Sequence, residues 1–229
     1  MLYIVSTPIG NLKDITLRAI ETLKGVDLIA AEDTRHTRKL LDEYGITTKL
    51  TSYYDHNKET KSKQLLKYLV DGLNIALVTD AGTPGISDPG YVLVRLAREY
   101  AIEIDVLPGP TAVIAALSLS GLPTDAFIFE GFLPVKPGKR KKKLAALADE
   151  ARTVIFYESP HRLLKSLEDI RLELADPEVC VAREITKKFQ QVKTARASEL
   201  LKHFTAHPPK GEFVLLLNLA KSRGRDQDG

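Results

Sequence analysis

Residues 2–31 read LYIVSTPIGNLKDITLRAIETLKGVDLIAA, and they set the pattern for the first half of the chain. Short apolar runs stand at each end, at residues 2–6 and 26–31. Between them, residues 14–24 have apolar side chains at helical spacing, and Gly25 follows as a typical helix terminator. A strand, a helix and a second strand in this order predict a βαβ unit.

The same alternation continues to about residue 119. Further strands are predicted at residues 49–54, 74–79 and 103–107, and helices at 34–44, 59–70, 91–100 and 111–119. Regular alternation of this kind is typical of a mostly parallel sheet, here with five strands. The sequence therefore predicts an α/β domain over residues 1–120.

A second α/β domain is predicted after the Gly/Pro-containing turn at residues 120–125. Its strands are expected at 127–133, 153–158, 178–184 and 212–218, and its helices at 136–152, 161–174 and 198–205. We assign residues 121–220 to this domain. Residues 221–229 have no apolar pattern and are expected to form a disordered tail.

Composition excludes several classes of protein. The 229 residues are 44% hydrophobic and 28% charged, with a net charge of +3, which is typical of a globular chain. One cysteine and five histidines offer no disulfide framework and no zinc-ligand spacing, so no metal site is expected. The chain has no signal peptide pattern and no apolar run of about 20 residues. We expect a soluble, cytoplasmic protein without a membrane partner.

Three Gly/Pro-rich loops each follow a predicted strand. They are STPIGN at residues 6–11, TDAGTPGISDPG at 79–90 and LPGPTA at 107–112. In a parallel sheet all three lie at the carboxyl edge, where open α/β sheets bind ligands. Glycine and proline also end strands for purely structural reasons, and that alternative fits any one loop. Three such loops in one sheet favour a ligand cleft.

The loops also restrict the ligand. They contain neither a Walker A sequence nor a G-x-G-x-x-G fingerprint after a strand. Residues 79–90 and 107–112 hold no Lys or Arg, whereas a polyphosphate would require positive charge or a helix N-terminus. A small ligand of mixed polarity with one positive centre fits these loops better.

Seven short motifs carry a family resemblance over residues 2 to about 219. They are STPIGNL at residue 6, AEDTR at 31, DAGTP at 80, ISDPG at 86, LPGP at 107, FYESPHR at 156 and AREITK at 182. Together they resemble the bacterial ribosomal small-subunit RNA (cytidine-2′-O)-methyltransferases of the tetrapyrrole (corrin/porphyrin) methylase superfamily. The resemblance implies two α/β domains of the tetrapyrrole methylase type, a cleft between them for S-adenosylmethionine, and a homodimer. It also implies methylation of the ribose 2′-oxygen of a cytidine in the decoding centre of 16S ribosomal RNA.

The resemblance also implies which residues line the cofactor. From the first domain these are Pro8, Ala81, Gly82, Thr83, Ile86, Thr111 and Ala112, and from the second Tyr157 and Glu158. Backbone groups and threonine hydroxyls suit the methionine carboxylate and amine, and the apolar side chains suit adenine.

A base near the ribose 2′-hydroxyl would assist methyl transfer, because the hydroxyl is a poor nucleophile until its proton leaves. The candidates are Glu32, Asp33 and Glu184, with Arg35 beside the first two. Asp33 precedes a predicted helix, and for this residue alone we favour a helix N-cap. We assign Glu32, Arg35 and Glu184 to the catalytic site.

The run KPGKRKKK at residues 136–143 is the main candidate for RNA contact. Such runs are usually solvated surfaces, but in an RNA-modifying enzyme they suit phosphate groups equally well. We assign RNA binding to Lys139, Arg140, Lys141, Lys142 and Lys143, and also to His56 and Asn57 after the third strand.

Two stretches depart from the family pattern. Lys58 and Lys61 replace an acid and an arginine after His56 and Asn57, and Gln190, Gln191 and Ala195 replace acids and a glycine. Two other functions stay open, a methylase of a tetrapyrrole or corrin precursor and a non-catalytic RNA-binding relative. The full set of motifs argues against both.

Overall fold

The computed structural model describes residues 1–220, so the tail predicted at 221–229 lies outside the described residues. Within this range the chain folds as two compact units. The first unit is Met1–Thr111 and the second begins at Ala112. Each unit has its own sheet of five strands.

The first unit is a parallel α/β sheet. Its elements are β1 (Leu2–Val5), a 3₁₀ turn (Leu12–Asp14), α1 (Leu17–Gly25), β2 (Leu28–Ala31), α2 (Thr34–Glu43), β3 (Leu50–Ser52), α3 (Lys58–Val70), β4 (Ile75–Val78), α4 (Gly90–Glu99) and β5 (Ile104–Leu107). The strand order is β3-β2-β4-β1-β5, and every neighbouring pair is parallel. The predicted five-stranded sheet is confirmed.

Helices cover both faces of this sheet, which explains why its central strands are apolar throughout. One core combines strand residues with side chains of α1 and α2: Val5, Ile29, Ala76, Ala19, Leu23, Leu40 and Leu41. The opposite core combines them with α3 and α4: Leu2, Ile4, Leu77, Leu65, Leu69 and Leu93. Strands β4, β1 and β5 are direct neighbours, so the loops that follow them start side by side.

The second unit is a mixed sheet with helices. Its elements are α5 (Ala112–Ser120), β6 (Phe127–Phe132), α6 (Pro137–Ala145), β7 (Thr153–Glu158), α7 (Leu163–Glu173), β8 (Glu178–Arg183), β9 (Gln191–Arg196), α8 (Ala197–Ala206) and β10 (Phe213–Leu217). The strand order is β6-β7-β10-β8-β9. Only β6 and β7 are parallel; the other neighbours are antiparallel.

The structure corrects three sequence expectations. Strand β9 was not predicted, because QVKTAR at an exposed sheet edge has no apolar alternation. Helix α6 ends at Ala145 rather than near Arg152. Helix α5 packs on β8, β9 and β10, so it belongs to the second unit. The boundary between the units therefore lies before α5, after Thr111, whereas the sequence predicted it after residue 120.

Candidate active site

The loops after β1 and β4 are joined by a short backbone bridge. The Thr7 N–H donates to the Gly82 carbonyl at 2.9 Å, and the Gly82 N–H donates back to the Thr7 carbonyl at 3.1 Å. The buried Thr7 hydroxyl also donates to the Thr79 carbonyl at 3.0 Å. These bonds hold the first two loops as one structure.

The loop after β5 is tied to the same structure. The hydroxyls of Ser6 and Thr83 lie 2.9 Å apart, and the Thr83 hydroxyl reaches the Pro110 carbonyl at 3.4 Å. Gly109 passes so close that a Cβ there would lie 2.8 Å from the Ser6 Cβ, so only glycine fits. The prediction that the three loops converge at one sheet edge is confirmed.

Two glycines of the β4 loop have left-handed backbone conformations. Gly82 has φ +93° and Gly85 has φ +90°, a region that L side chains rarely adopt. A Cβ on Gly82 would meet Ile9 at 3.6 Å, which is ordinary contact. Backbone conformation, rather than lack of space, therefore requires glycine at position 82.

Asp88 organises the end of the same loop. Its carboxylate accepts the Gly85 N–H at 2.8 Å and the Gly90 N–H at 2.7 Å. Burial raises the pKa of Asp88, although these hydrogen bonds act in the opposite direction. The hydroxyl of Tyr53, which is 1% exposed, donates to the Pro89 carbonyl at 3.0 Å and packs beneath the loop.

Carboxylates from β2 and β4 meet at this edge. The Thr79 hydroxyl donates to Glu32 Oε2 at 2.7 Å, and the Asp33 N–H donates to Asp80 Oδ1 at 2.9 Å. Burial raises the pKa of Asp80, and the neighbouring charges of Glu32 and Asp33 add to this shift. The edge therefore has a negative field that favours a ligand with a positive centre.

Asp33 is the N-cap of α2, as predicted. Its carboxylate accepts the Arg35 N–H at 2.8 Å and the His36 N–H at 3.4 Å. The hydrogen bond from the Arg35 guanidinium is the main reason why the pKa of Asp33 is lowered. The Arg35 side chain is 90% exposed, and its ion pair among the described residues is with Asp33, not Glu32.

The expected cofactor residues of the first unit occupy different positions in the joined loops. Pro8 and Gly82 are buried in the bridge, and Thr83 is half-buried. Ala81 is exposed and Ile86 is 48% exposed, so both present surface to a ligand. Thr111 is the last residue of this unit, and Ala112 begins α5.

The Glu158 side chain is engaged inside the second unit. It is 2% exposed and accepts hydrogen bonds from the Ser166 hydroxyl, from Arg162 Nη2 at 3.2 Å and from the Ser159 N–H at 2.8 Å. This carboxylate is therefore a structural anchor for the turn after β7. A contact between Glu158 and the cofactor would therefore use the backbone atoms of this residue.

Tyr157 lies beside Glu158 on β7. Its ring contacts Phe129 at 4.8 Å and Phe132 at 5.7 Å between ring centroids, in edge-on geometry. These contacts hold the ring on the β6 side of the second sheet. Its contact with the cofactor stays a prediction.

Glu184 builds the turn after β8. It has φ +51°, and its Oε1 accepts from Lys187 Nζ at 3.0 Å and from the Glu212 N–H at 3.0 Å. Burial acts to raise the pKa of Glu184, but these two hydrogen bonds outweigh it and lower that pKa. Both hydrogen bonds use the Glu184 carboxylate to hold this turn, and its assignment to the catalytic site stays a prediction.

The structure argues against the predicted RNA contact of Arg140, because its side chain is buried and paired inside the second unit. It is 4% exposed, its Nε lies 2.7 Å from Asp169 Oδ2, and its Nη1 donates to the Val135 carbonyl at 3.2 Å. One face of α6 must pack on α7, and helical spacing places Arg140 and Leu144 on that face.

The four lysines of the run differ in what they contact. Lys141 lies 3.7 Å from Glu173, and Lys143 pairs with Glu130. Lys139 and Lys142 are exposed and have no ion pair with any residue from 1 to 220. These two remain the better candidates for RNA contact.

His56 and Asn57 also differ in what their side chains contact. The Asn57 amide accepts the Tyr54 N–H at 2.8 Å and reaches the Ser52 carbonyl at 3.4 Å, so it shapes the turn before α3. His56 is exposed. Among the departures, Lys58 pairs with Asp55 at 3.0 Å and Lys61 Nζ donates to Gln64 at 2.9 Å.

The remaining departures from the family pattern lie in the turn before β9 and in β9 itself. The Gln190 side chain accepts the Thr186 N–H at 2.7 Å, whereas Gln191 and Ala195 form cross-strand pairs in β9.

Sequence reasoning did not single out Asp80 or Asp88. An acid followed by proline or glycine inside a Gly/Pro loop is the signal that would have found Asp88, because such side chains bond nearby backbone N–H groups.

Residues 1–220 contain neither a candidate membrane-spanning helix nor a candidate metal-binding cluster. No helix there is long and apolar enough to cross a membrane. The same residues contain no group of three or more His, Cys, Asp or Glu side chains placed to hold a metal ion.

A family comparison agrees with this fold. The model of the tetrapyrrole (corrin/porphyrin) methylases matches residues 1–201. The chain therefore belongs to the tetrapyrrole methylase family. The protein is accordingly a methyltransferase, and its methyl donor is S-adenosylmethionine.

Three similar proteins carry the same name. The chain is 54% identical to "Ribosomal RNA small subunit methyltransferase I" of Synechocystis, over 95% of this chain and 78% of that protein. It is 53% identical to the protein of the same name from Escherichia coli O157:H7, over 98% and 80%. The protein of that name from Thermotoga maritima is 47% identical, over 95% and 97%.

Solved structures share the fold at low sequence identity. Diphthine synthase matches with a TM-score of 0.75 and 16% identity, over 95% of this chain and 89% of that one. Cobalt precorrin-4 methyltransferase matches with a TM-score of 0.68 and 19% identity, over 96% and 95%. These likenesses concern the fold alone.

Proposed function

We propose that the protein transfers a methyl group from S-adenosylmethionine to the ribose 2′-oxygen of a cytidine in the decoding centre of 16S ribosomal RNA. The main support is the linked set of three loops beside Glu32, in a chain about half identical to proteins called ribosomal RNA small subunit methyltransferase I. We further propose that it acts in the cytoplasm as a homodimer, on the small ribosomal subunit or its RNA.

The residues of the first unit fit this cofactor. Exposed Ala81 and Ile86 offer apolar cover, and the Thr83 hydroxyl together with loop backbone groups offers hydrogen bonds. The Asp80 carboxylate in the β4 loop favours the positive charges of the ligand. When bound, S-adenosylmethionine supplies an electrophilic methyl group.

Glu32 is placed to act on the nucleophile. It accepts the Thr79 hydroxyl through Oε2, which orients the carboxylate and leaves Oε1 for a second partner. In the proposed step Oε1 accepts the proton of the ribose 2′-hydroxyl as the oxygen–carbon bond forms and the sulfur–carbon bond breaks. Positioning of the hydroxyl in line with that bond supplies most of the remaining rate acceleration.

The proposal is tested by methyl transfer to a defined substrate. The protein is incubated with S-adenosylmethionine carrying a labelled methyl group and with small ribosomal subunits that lack this modification. We expect label in RNA nucleosides, recovered by mass spectrometry as 2′-O-methylcytidine from one decoding-centre position.

Three results would contradict this proposal. Label on a base instead of the ribose would overturn the 2′-O assignment. Transfer to uroporphyrinogen III but not to subunits would favour the tetrapyrrole alternative. A protein that binds subunits but transfers no label to either substrate would support the non-catalytic alternative.

A further inference from the structure

A cluster of two cationic side chains and two imidazoles lies at one end of the second sheet. It consists of Arg183 at the end of β8, Lys193 on β9, and His203 and His207 at the end of α8. We call these four residues the Arg183 cluster. Three are half-buried and His207 is exposed, so a ligand in solvent can reach them.

Strand register places the cluster on the face that α8 covers. Arg183 pairs with Phe213 of β10, and Val181 pairs with Lys193 of β9. Paired residues of antiparallel strands point to the same face. The ring of Phe204 on α8 contacts the Phe213 ring at 5.8 Å, so α8 lies on this face.

A chain of ring contacts connects the charged groups. Arg183 Cζ lies 5.9 Å from the centre of the Phe213 ring. His203 contacts Phe204 at 5.0 Å between centroids and stacks on His207 at 4.8 Å. The guanidinium and the two imidazoles thus lie along one row of ring contacts, in which Phe204 and Phe213 are buried.

The cluster has no direct ion pair among the described residues, although the charge of Arg183 contributes to the lowered pKa of Glu184. None of its four side chains forms an ion pair with a carboxylate within residues 1–220, and the nearby Glu184 and Glu212 pair with Lys187. The Nε of Arg183 is buried without an acceptor, and so is the Thr186 hydroxyl on the following turn. Buried donors without partners are rare and indicate a missing ligand, ion or water.

The electrostatics of His203 agree with this geometry. Its pKa is lowered, first by burial and then by the positive charges of Lys193, His207 and Arg183. The field at this histidine is therefore positive, which favours an anion.

We propose that the Arg183 cluster binds a phosphodiester group of the RNA substrate. This inference rests on the proposed function, because it assigns a second contact surface for the same substrate. A planar guanidinium offers several N–H donors to phosphate oxygens, and a lysine and imidazoles add donors around them. The exposed His207 ring also offers a face on which an RNA base can stack.

The inference is tested with labelled 16S ribosomal RNA as the probe. Dissociation constants are measured against salt for the wild type, Lys193→Gln and His203→Gln. The matched control is Lys24→Gln, an exposed lysine in the last turn of α1. Loss of one phosphate contact should lower the log–log salt slope by about 0.7 to 0.9 in Lys193→Gln, and the control should not change it.

Arg183→Gln is the strongest variant, but this residue is partly buried, so its melting temperature is measured alongside. If it unfolds, the half-buried Lys193 and His203 variants decide the matter. Affinity for S-adenosylmethionine should remain at the wild-type value in every folded variant. Polyglutamate at matched charge should compete poorly with RNA.

The outcomes separate this inference from the proposed function. If the wild type methylates small subunits but Lys193→Gln and His203→Gln keep the wild-type affinity and salt slope, the cluster is not an RNA site and the function stands. If the slope falls but the wild type transfers no methyl group, the function is wrong and the cluster stands. Equal competition by polyglutamate would reassign the cluster to acidic proteins.

Discussion

Glu32 combines a negative charge with a fixed orientation at the edge that bears the three loops. Glu32→Gln keeps an oxygen that can accept the Thr79 hydroxyl, so local structure should survive. Loss of the charge removes the proposed base, and single-turnover methyl transfer should fall by about 10²- to 10⁴-fold. The loops still hold the cofactor, so S-adenosylmethionine affinity measured by calorimetry should change little.

The matched control for this prediction is Glu43→Gln, an exposed carboxylate at the end of α2. It should leave both turnover and cofactor affinity unchanged. A near-normal rate in Glu32→Gln would end the proposal for this residue. The search would then move to Glu184 or to a mechanism without a protein base.

Residue roles were predictable where they depend on local chain geometry. Asp33 precedes a helix by one position, and its N-cap hydrogen bonds follow directly from that position. Arg140 shows the opposite case. Five cations in succession read alike in sequence, and only packing of α6 on α7 decides that one of them is buried against Asp169.

At the scale of the element, helix α6 has one structural cation and several surface cations. Arg140→Met leaves the buried Asp169 carboxylate without its main partner, and the free energy of unfolding should fall by about 3 to 5 kcal/mol. Lys142→Met removes an exposed charge, and its effect should stay within about 0.5 kcal/mol. Urea denaturation followed by circular dichroism measures both.

The same two variants separate stability from RNA binding. Lys142→Met should weaken the salt dependence of RNA affinity while the fold stays intact. Equal stability of Arg140→Met and Lys142→Met would contradict the structural role assigned to the Arg140–Asp169 pair.

The helices and strands predicted from the sequence agree with the structure more closely in the first unit than in the second. Parallel strands covered on both faces must be apolar throughout, so β1, β2 and β4 stand out as short hydrophobic runs. Strand β9 lies at a sheet edge and most of its side chains are exposed. Its sequence therefore has no alternation of apolar and polar residues that would predict a strand. Such a strand is defined by its neighbour β8 and not by its own composition.

At the scale of the whole molecule, cofactor binding should stabilise the native state. S-adenosylmethionine at a hundred times its dissociation constant should add about 2.7 kcal/mol to the free energy of unfolding, provided that the unfolded chain does not bind it. Differential scanning calorimetry should show the melting temperature rising with cofactor concentration.

ATP is the control ligand for this measurement. It shares the adenosine group but carries a polyphosphate, and residues 79–90 and 107–112 contain no Lys or Arg to meet it. ATP should therefore give no shift. A shift with ATP and none with S-adenosylmethionine would contradict the assigned cofactor site.

The sequence by itself determined the alternation of strands and helices, the position of the three loops after β1, β4 and β5, and the cap at Asp33. These features depend on local periodicity and on residues a few positions apart. Tertiary structure decided the strand order that makes β4, β1 and β5 neighbours, the bridge between Thr7 and Gly82, and the unit that contains α5. It also decided which cations are buried and which form the Arg183 cluster, because contacts between residues far apart in the chain depend on packing that no local pattern encodes.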